Sequence, residues 1–209
     1  MSSYTKRKIA FRTCALVMAL LAVLTITLKT LDKARENDIV LFFSMDENVT
    51  PEVDANTAAT SLDYNVRTLA DKIHDKIGAD VIRLKPTIHY VPVKSDLKDQ
   101  LVYTDRLDEA RHYLNEDLDL SKYKRVFIGF PVWKQNEPPE MHNFISKHLK
   151  DFEDKEVYLF TSSQHTPAEG IKYTLYQKFP SLSLQKVLAM HPEEHDQTKY
   201  RLVNFLNGL

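Results

Sequence analysis

The sequence predicts a doubly wound α/β domain, a parallel sheet with helices on both faces. Three observations predict it. Short apolar runs of strand length alternate with amphipathic stretches of helical period from residue 39 onward. Parallel neighbours need crossover connections, and such crossovers are right-handed and usually helical. Finally, 209 residues with 43% apolar and 10% aromatic content can fill one core, which excludes a collagenous or disordered chain.

The elements follow in order. Ile39-Val-Leu-Phe-Phe-Ser44 has strand length and β-type residues with no helical spacing of polar positions. From Asn65 to Ile77, Val66, Leu69, Ala70, Ile73 and Ile77 fall on one helical face, and Gly78 supplies the stop. Val81-Ile-Arg-Leu84 is a short strand closed by Pro86. Residues 87–121 are polar and irregular, with a helix expected over Ser95–Glu116 that turns Leu97, Leu101, Leu107 and Leu114 inward. Arg125–Phe130 is a strand, and Pro139–Leu149 a helix with Met141, Phe144, Ile145 and Leu149 on one face. A strand at Glu156–Thr161, a helix at Ala168–Phe179, a strand at Leu182–Met190 and a helix at Thr198–Leu206 complete the count of five strands.

Ahead of this domain lies a different kind of segment. Lys6, Arg7, Lys8 and Arg12 precede an uncharged, mostly apolar run from Cys14 to Leu28, and counting from Ile9 gives 20 residues, about 30 Å as a helix and just enough to span a bilayer. Arg12 can snorkel, and Thr25 and Thr27 can return their hydroxyls to the helix backbone. The cationic cluster stays inside, which puts the following domain outside the cytoplasm as a single-pass membrane protein. Lys29–Ala34 lacks a small-x-small cleavage site, so an uncleaved anchor is favoured over a signal peptide. The expected organisation is a tail and anchor at 1–29, a linker at 30–37 and the α/β domain at 38–209. Cys14 is the sole cysteine, so the chain forms no internal disulfide and no cysteine-based zinc site. With 28 Lys plus Arg against 29 Asp plus Glu, no cationic field draws it to nucleic acid.

In a doubly wound sheet the ligand sits beyond the strand C-termini, so the loops after Ser44, Phe130 and Thr161 are where function is sought. The first is rich in hydroxyls and runs to the helix expected at Asn65. Free N–H groups and the helix dipole there form an anion seat that needs no Lys or Arg.

Several stretches resemble the flavodoxin-like family, in its longer variants with a segment inserted between the first strand and the phosphate loop. They are Phe42-Phe-Ser44, Val53-Asp-Ala-Asn-Thr-Ala-Ala-Thr-Ser61, Asn65 with Arg67-Thr-Leu-Ala70, Gly78-Ala-Asp80, and Asp119-Leu-Ser-Lys-Tyr-Lys-Arg-Val-Phe-Ile-Gly-Phe-Pro-Val-Trp133. The resemblance spans residues 38–209 and implies strand order 2-1-3-4-5 and an FMN cofactor. It puts the FMN phosphate on the first loop, near Ser44, Thr57, Thr60, Ser61, Tyr64 and Asn65. The isoalloxazine would lie between Pro131, Val132, Trp133 and Lys134 on one side and Thr161, Ser162, Ser163 and Gln164 on the other. Trp133 would face the ring, giving dispersion contact and excluding water.

The chain departs from the family in three places. Tyr64 and Val66 stand where the phosphate loop commonly has Gly and Thr; Ser162-Ser-Gln-His-Thr166 replaces a glycine-rich run; Lys134 replaces a second aromatic. A cation at that last place favours an anionic reduced flavin. Two functions follow. One is a membrane-anchored FMN protein that transfers electrons to a partner protein or reduces a small acceptor such as a quinone. The other is a flavodoxin-like module that has lost FMN and serves as an interaction domain.

Single features have bland readings beside the functional ones. Trp133 can simply pack, and Thr57–Ser61 can simply cap the next helix. The same segment weakly resembles a signal for covalent FMN attachment on threonine, here Thr60, with Ala58 in place of that signal's glycine. His191-Pro-Glu-Glu-His195 spells an inverted zincin motif, but it opens on Pro after a strand, so a solvated loop is the preferred reading.

Overall fold

The computed structural model describes residues 16–25, 37–44, 61–85, 118–132, 135–163, 166–191, 194 and 197–209, with the side chains of 61–65 set aside. The chain divides into two units, Met1–Glu36 and Asn37–Leu209.

In the first unit, residues 16–25 are helical with every residue exposed. Thr25 Oγ1 donates to Ala22 O at 2.8 Å, the backbone return expected of it. Among the described residues, no helix is long and apolar enough to cross a membrane. The remainder of the expected span, 9–15 and 26–28, lies outside the described residues.

The second unit is built on five parallel strands: β1 (Asp38–Phe43), β2 (Asp80–Leu84), β3 (Arg125–Pro131), β4 (Glu156–Ser162) and β5 (Leu184–Met190), in the order β2-β1-β3-β4-β5. Helices α1 (Ser61–Ile77), α2 (Pro139–Lys147), α3 (Ala168–Lys178) and α4 (Thr198–Leu206) connect and close it, with a 3₁₀ turn at Leu149–Phe152. The helix expected over 95–116 lies outside the described residues, as does the linker at 30–36.

Alternation along the strands sorts the side chains into two cores. Ile39, Leu41, Phe43, Val126, Ile128, Phe130, Val157 and Leu159 pack with Met141, Phe144 and Ile145 of α2 and Ile171 and Leu175 of α3. Val40, Phe42, Phe127, Tyr158 and Phe160 pack with Val66, Leu69, Ala70 and Ile73 of α1 and Leu202, Phe205 and Leu206 of α4. Both faces of the central strands are therefore dry, which is why β1 reads as a continuous apolar run.

Asp38 interrupts that run at its first residue and is 1% exposed. It survives because Arg125, beside it in register, donates Nε and Nη2 to its two oxygens at 2.6 and 2.5 Å. The pair holds the Arg125 guanidinium above its ordinary value, first through that hydrogen bond. On the α1 face, Gly129 lies between Phe42 and Phe160 in register. A Cβ at 129 would stand 2.1 Å from Phe160 Cζ, so the glycine is what lets that ring lie against the sheet.

Several boundaries differ from expectation, each for a local reason. α1 begins at Ser61, four residues before Asn65. Ser61 is a residue type that opens helices, and Asp63 then falls in the first turn, where the dipole favours a negative charge. α2 stops at Lys147, and His148 N–H donates to Phe144 O at 3.0 Å before the chain tightens into the 3₁₀ turn. The stop at Gly78 is as expected: φ is +71° and its N–H donates to His74 O at 2.7 Å.

Candidate functional site

The C-terminal ends of β1, β3 and β4 lie side by side in the sheet, so the three loops singled out by sequence leave from one rim. Because α1 starts at Ser61, Tyr64 and Asn65 lie within the helix and not in the loop before it. The N–H groups of the helix start that have no intrahelical partner are those of residues 61–64, which moves the expected anion seat toward Ser61. Thr57 and Thr60 lie outside the described residues.

Ser44 is fully buried at the end of β1. Its carbonyl accepts from Arg83 Nη2 at 2.9 Å. This places a guanidinium at the end of β1, from a strand that carries no sequence-predicted site residue. The available signal was a lone cation inside the apolar tetrad 81–84.

On the ring side, Pro131 ends β3 opposite Ser162, and Val132 N–H donates to Ser162 O at 2.8 Å. Trp133, Lys134 and Gln164 lie outside the described residues. Thr161 is buried, and its hydroxyl turns toward Leu188 O of β5 at the long distance of 3.5 Å. Ser163 N–H donates to Met190 O at 2.9 Å, and Ser163 Oγ accepts Thr166 N–H at 2.7 Å. The N–H groups of Val132, Ser163 and Thr166 are thus consumed by the protein. Hydroxyls remain available. Ser163 Oγ acts as acceptor and keeps a hydrogen to donate, while Ser162 Oγ is wholly buried and has no partner among the described residues.

Two further sets of residues hold this rim. His191 Nδ1 donates to Ser163 O at 2.8 Å, which requires a hydrogen on Nδ1 and fixes the ring's orientation. Glu194 accepts His191 N–H at 3.0 Å and pairs with Arg201, whose Nη2 donates to Ala189 O at 2.8 Å. Glu194 of the zincin-like pentamer is therefore committed to ordering the turn after β5, and among the described residues no metal-holding cluster occurs.

Behind the β3 loop, the side chain of Glu137 is 1% exposed and accepts Lys178 Nζ at 2.8 and 3.0 Å and His142 Nδ1 at 2.8 Å. Gln135 carries φ +68°, the bend that starts this return. Glu140, in the first turn of α2, is also buried, and burial pushes its carboxyl up to about 7. These acids were missed because their burial and the 41-residue separation of Glu137 from Lys178 are tertiary facts.

The fold and the strand order define a doubly wound protein of the flavodoxin type. Residues 56–207 match the family model described as flavodoxin, and the chain belongs to that family. Among solved structures it is similar to a candidate flavoprotein from Bacteroides eggerthii DSM 20697, with 18% identity, a TM-score of 0.59, and 81% of this chain and 97% of that one covered. A candidate flavoprotein from Bacteroides uniformis ATCC 8492 follows at 16% identity and TM-score 0.58, covering 78% and 96%. A flavoprotein from Lactobacillus acidophilus NCFM, crystallised in complex with FMN, aligns at 16% identity and TM-score 0.50, covering 78% and 99%. No curated protein matches the chain.

Proposed function

We propose that this chain is a membrane-anchored FMN protein that passes electrons to a partner protein or reduces a small acceptor. The observation that carries the reading is Ser162 Oγ, a buried hydroxyl at the end of β4 with no partner among the described residues. An unsatisfied buried hydroxyl costs roughly 1–3 kcal/mol, and a polar group of a bound ligand removes that cost. The residues fit such a group. The N–H groups of 61–64 and the Arg83 guanidinium suit a phosphate, and Ser162 and Ser163 offer hydroxyl donors where relatives use glycine backbone. FMN, when bound, supplies the redox chemistry. The chain's own residues orient it: Val132 ties the β3 loop to Ser162, and His191 pins Ser163.

Anchoring is supported by the exposed apolar helix at 16–25, where Leu16, Val17, Met18, Leu20, Leu21, Val23 and Leu24 are each more than half exposed. An apolar surface of that kind needs lipid or protein against it. The expected orientation keeps the Lys6–Arg12 cluster inside and the flavodoxin-like domain outside the cytoplasm. Retention of the full chain in the membrane pellet after alkaline wash is expected, and release into the supernatant overturns the anchor.

A second reading, a domain that has lost FMN and serves as an interaction module, is favoured by the consumed N–H groups at Val132 and Ser163. Titrating FMN into the full chain in detergent separates the two. Saturable quenching of flavin fluorescence, weakened about tenfold by Ser162→Ala, is expected from one lost hydrogen bond of about 1.4 kcal/mol. Absence of saturable binding refutes the cofactor reading and leaves the second.

A further inference from the structure

We propose that the outer edge of β5 is a docking site where an extended acidic segment of a partner protein adds to the sheet as a sixth strand. Among the described residues β5 is the terminal strand, paired only with β4. Its pairing fixes which peptide groups remain. Met190 O accepts Ser163 N–H, so Met190 and Leu188 turn their peptide groups toward β4, and the alternating Val187 and Ala189 turn theirs outward. The outward Ala189 carbonyl already accepts a donor, Arg201 Nη2 at 2.8 Å. The Val187 N–H and C=O face a groove of about 430 Å³ that runs along this edge between α3 and α4.

The charge of the groove selects the occupant. Ala168, Val187, Leu188 and Phe205 give it an apolar base. Lys172 stands on the α3 wall, and Lys186 and Arg201 stand on the α4 side, against Glu169 as the one acid in the lining. Glu194 offsets part of the Arg201 charge, and Lys186 Nζ also donates to Phe205 O at 3.2 Å and to Asn207 O at 2.5 Å, which holds its charge at the end of α4. A strand added at Val187 sends successive side chains to opposite faces of the sheet, so acids at neighbouring positions meet Lys172 on one face and Lys186 with Arg201 on the other. Tyr173 and Tyr200, each next in sequence to one of these cations, are 67% and 71% exposed, and tyrosine is the residue type that interfaces favour. A second copy of this chain is disfavoured, because pairing β5 with β5 brings lysines against lysines.

The test is display of random nonapeptides on phage, selected against the full chain in detergent. Enriched sequences are expected to carry Asp or Glu at neighbouring positions and to lack Pro in the middle. Binding of a synthesised winner is expected to fall about tenfold with Lys172→Glu, an exposed site whose change leaves the fold intact, and to weaken with salt. The winner is also expected to slow amide exchange at Val187. Val187→Pro removes the outward donor without breaking a β4 ladder bond and is expected to abolish binding; Lys172→Glu keeps the test decisive if that variant fails to fold. No enrichment, enriched peptides without acids, or binding indifferent to Lys172→Glu overturns the proposal. So does concentration-dependent self-association through this edge, or preferential binding of single-stranded oligonucleotide there.

Discussion

Glu140→Gln isolates the energetic cost of a buried acid beside the candidate ring loop. Glu140 is 1% exposed, and burial raises its carboxyl from 4.5 to about 7 in the folded chain. In the unfolded chain it titrates near 4.5, so between that value and about 7 the native state holds a proton that the unfolded state has lost. Stability tied to this proton is fully present below pH 4.5, declines as pH rises through the window, and is gone above about 7. With 1.36 kcal/mol for each tenfold change in proton affinity, the loss is about 3 kcal/mol. Glutamine copies the protonated form and does not titrate. Urea unfolding of both proteins at several pH values checks this. The stability of Glu140→Gln relative to wild type is expected to rise by about 3 kcal/mol from pH 4.5 to pH 8, since every other group contributes equally to both. A difference that stays constant over this range refutes the reasoning.

Two further substitutions test other parts of the argument. Lys178→Met removes the cation from the buried Glu137 carboxylate and leaves His142 as its remaining side-chain partner among the contacts described; a loss of about 3–5 kcal/mol by urea denaturation is expected, largely restored by Lys178→Arg. Equal stability of Lys178→Met and wild type overturns the view that Lys178 stabilises the buried Glu137 carboxylate. Gly129→Ala forces a methyl into the Phe160 ring, so a loss of about 1–3 kcal/mol is expected, and pairing it with Phe160→Leu recovers part of it; an unchanged denaturation midpoint for Gly129→Ala refutes the close packing.

The elements of the domain were legible in sequence because two periods are written into the chain. Val66, Leu69, Ala70 and Ile73 recur at helical spacing, and all are buried on one face of α1. Residues 39–43 are continuously apolar because both sides of a central parallel strand are covered. Boundaries were less legible. The start of α1 at Ser61 depends on which of several hydroxyl residues caps it, and Thr57, Thr60 and Ser61 are near-equivalent by type. The candidate site was legible as loops and residue types, while its supports were not. Arg83 reaches Ser44 across 39 residues, His191 reaches Ser163 across 28, and Lys178 reaches Glu137 across 41.

The sequence by itself determined the strand and helix alternation, the two-sided burial that forces a parallel doubly wound sheet, and the separate apolar segment before it. These follow from periodicity and hydrophobicity, which act locally along the chain. Only the tertiary structure decided which hydroxyl is left buried without a partner, which carboxyls lose their water, and which strand edge stays open beside cations. Desolvation and hydrogen-bond pairing depend on what surrounds a group in space, and neighbours in space are set only when distant segments close on one another.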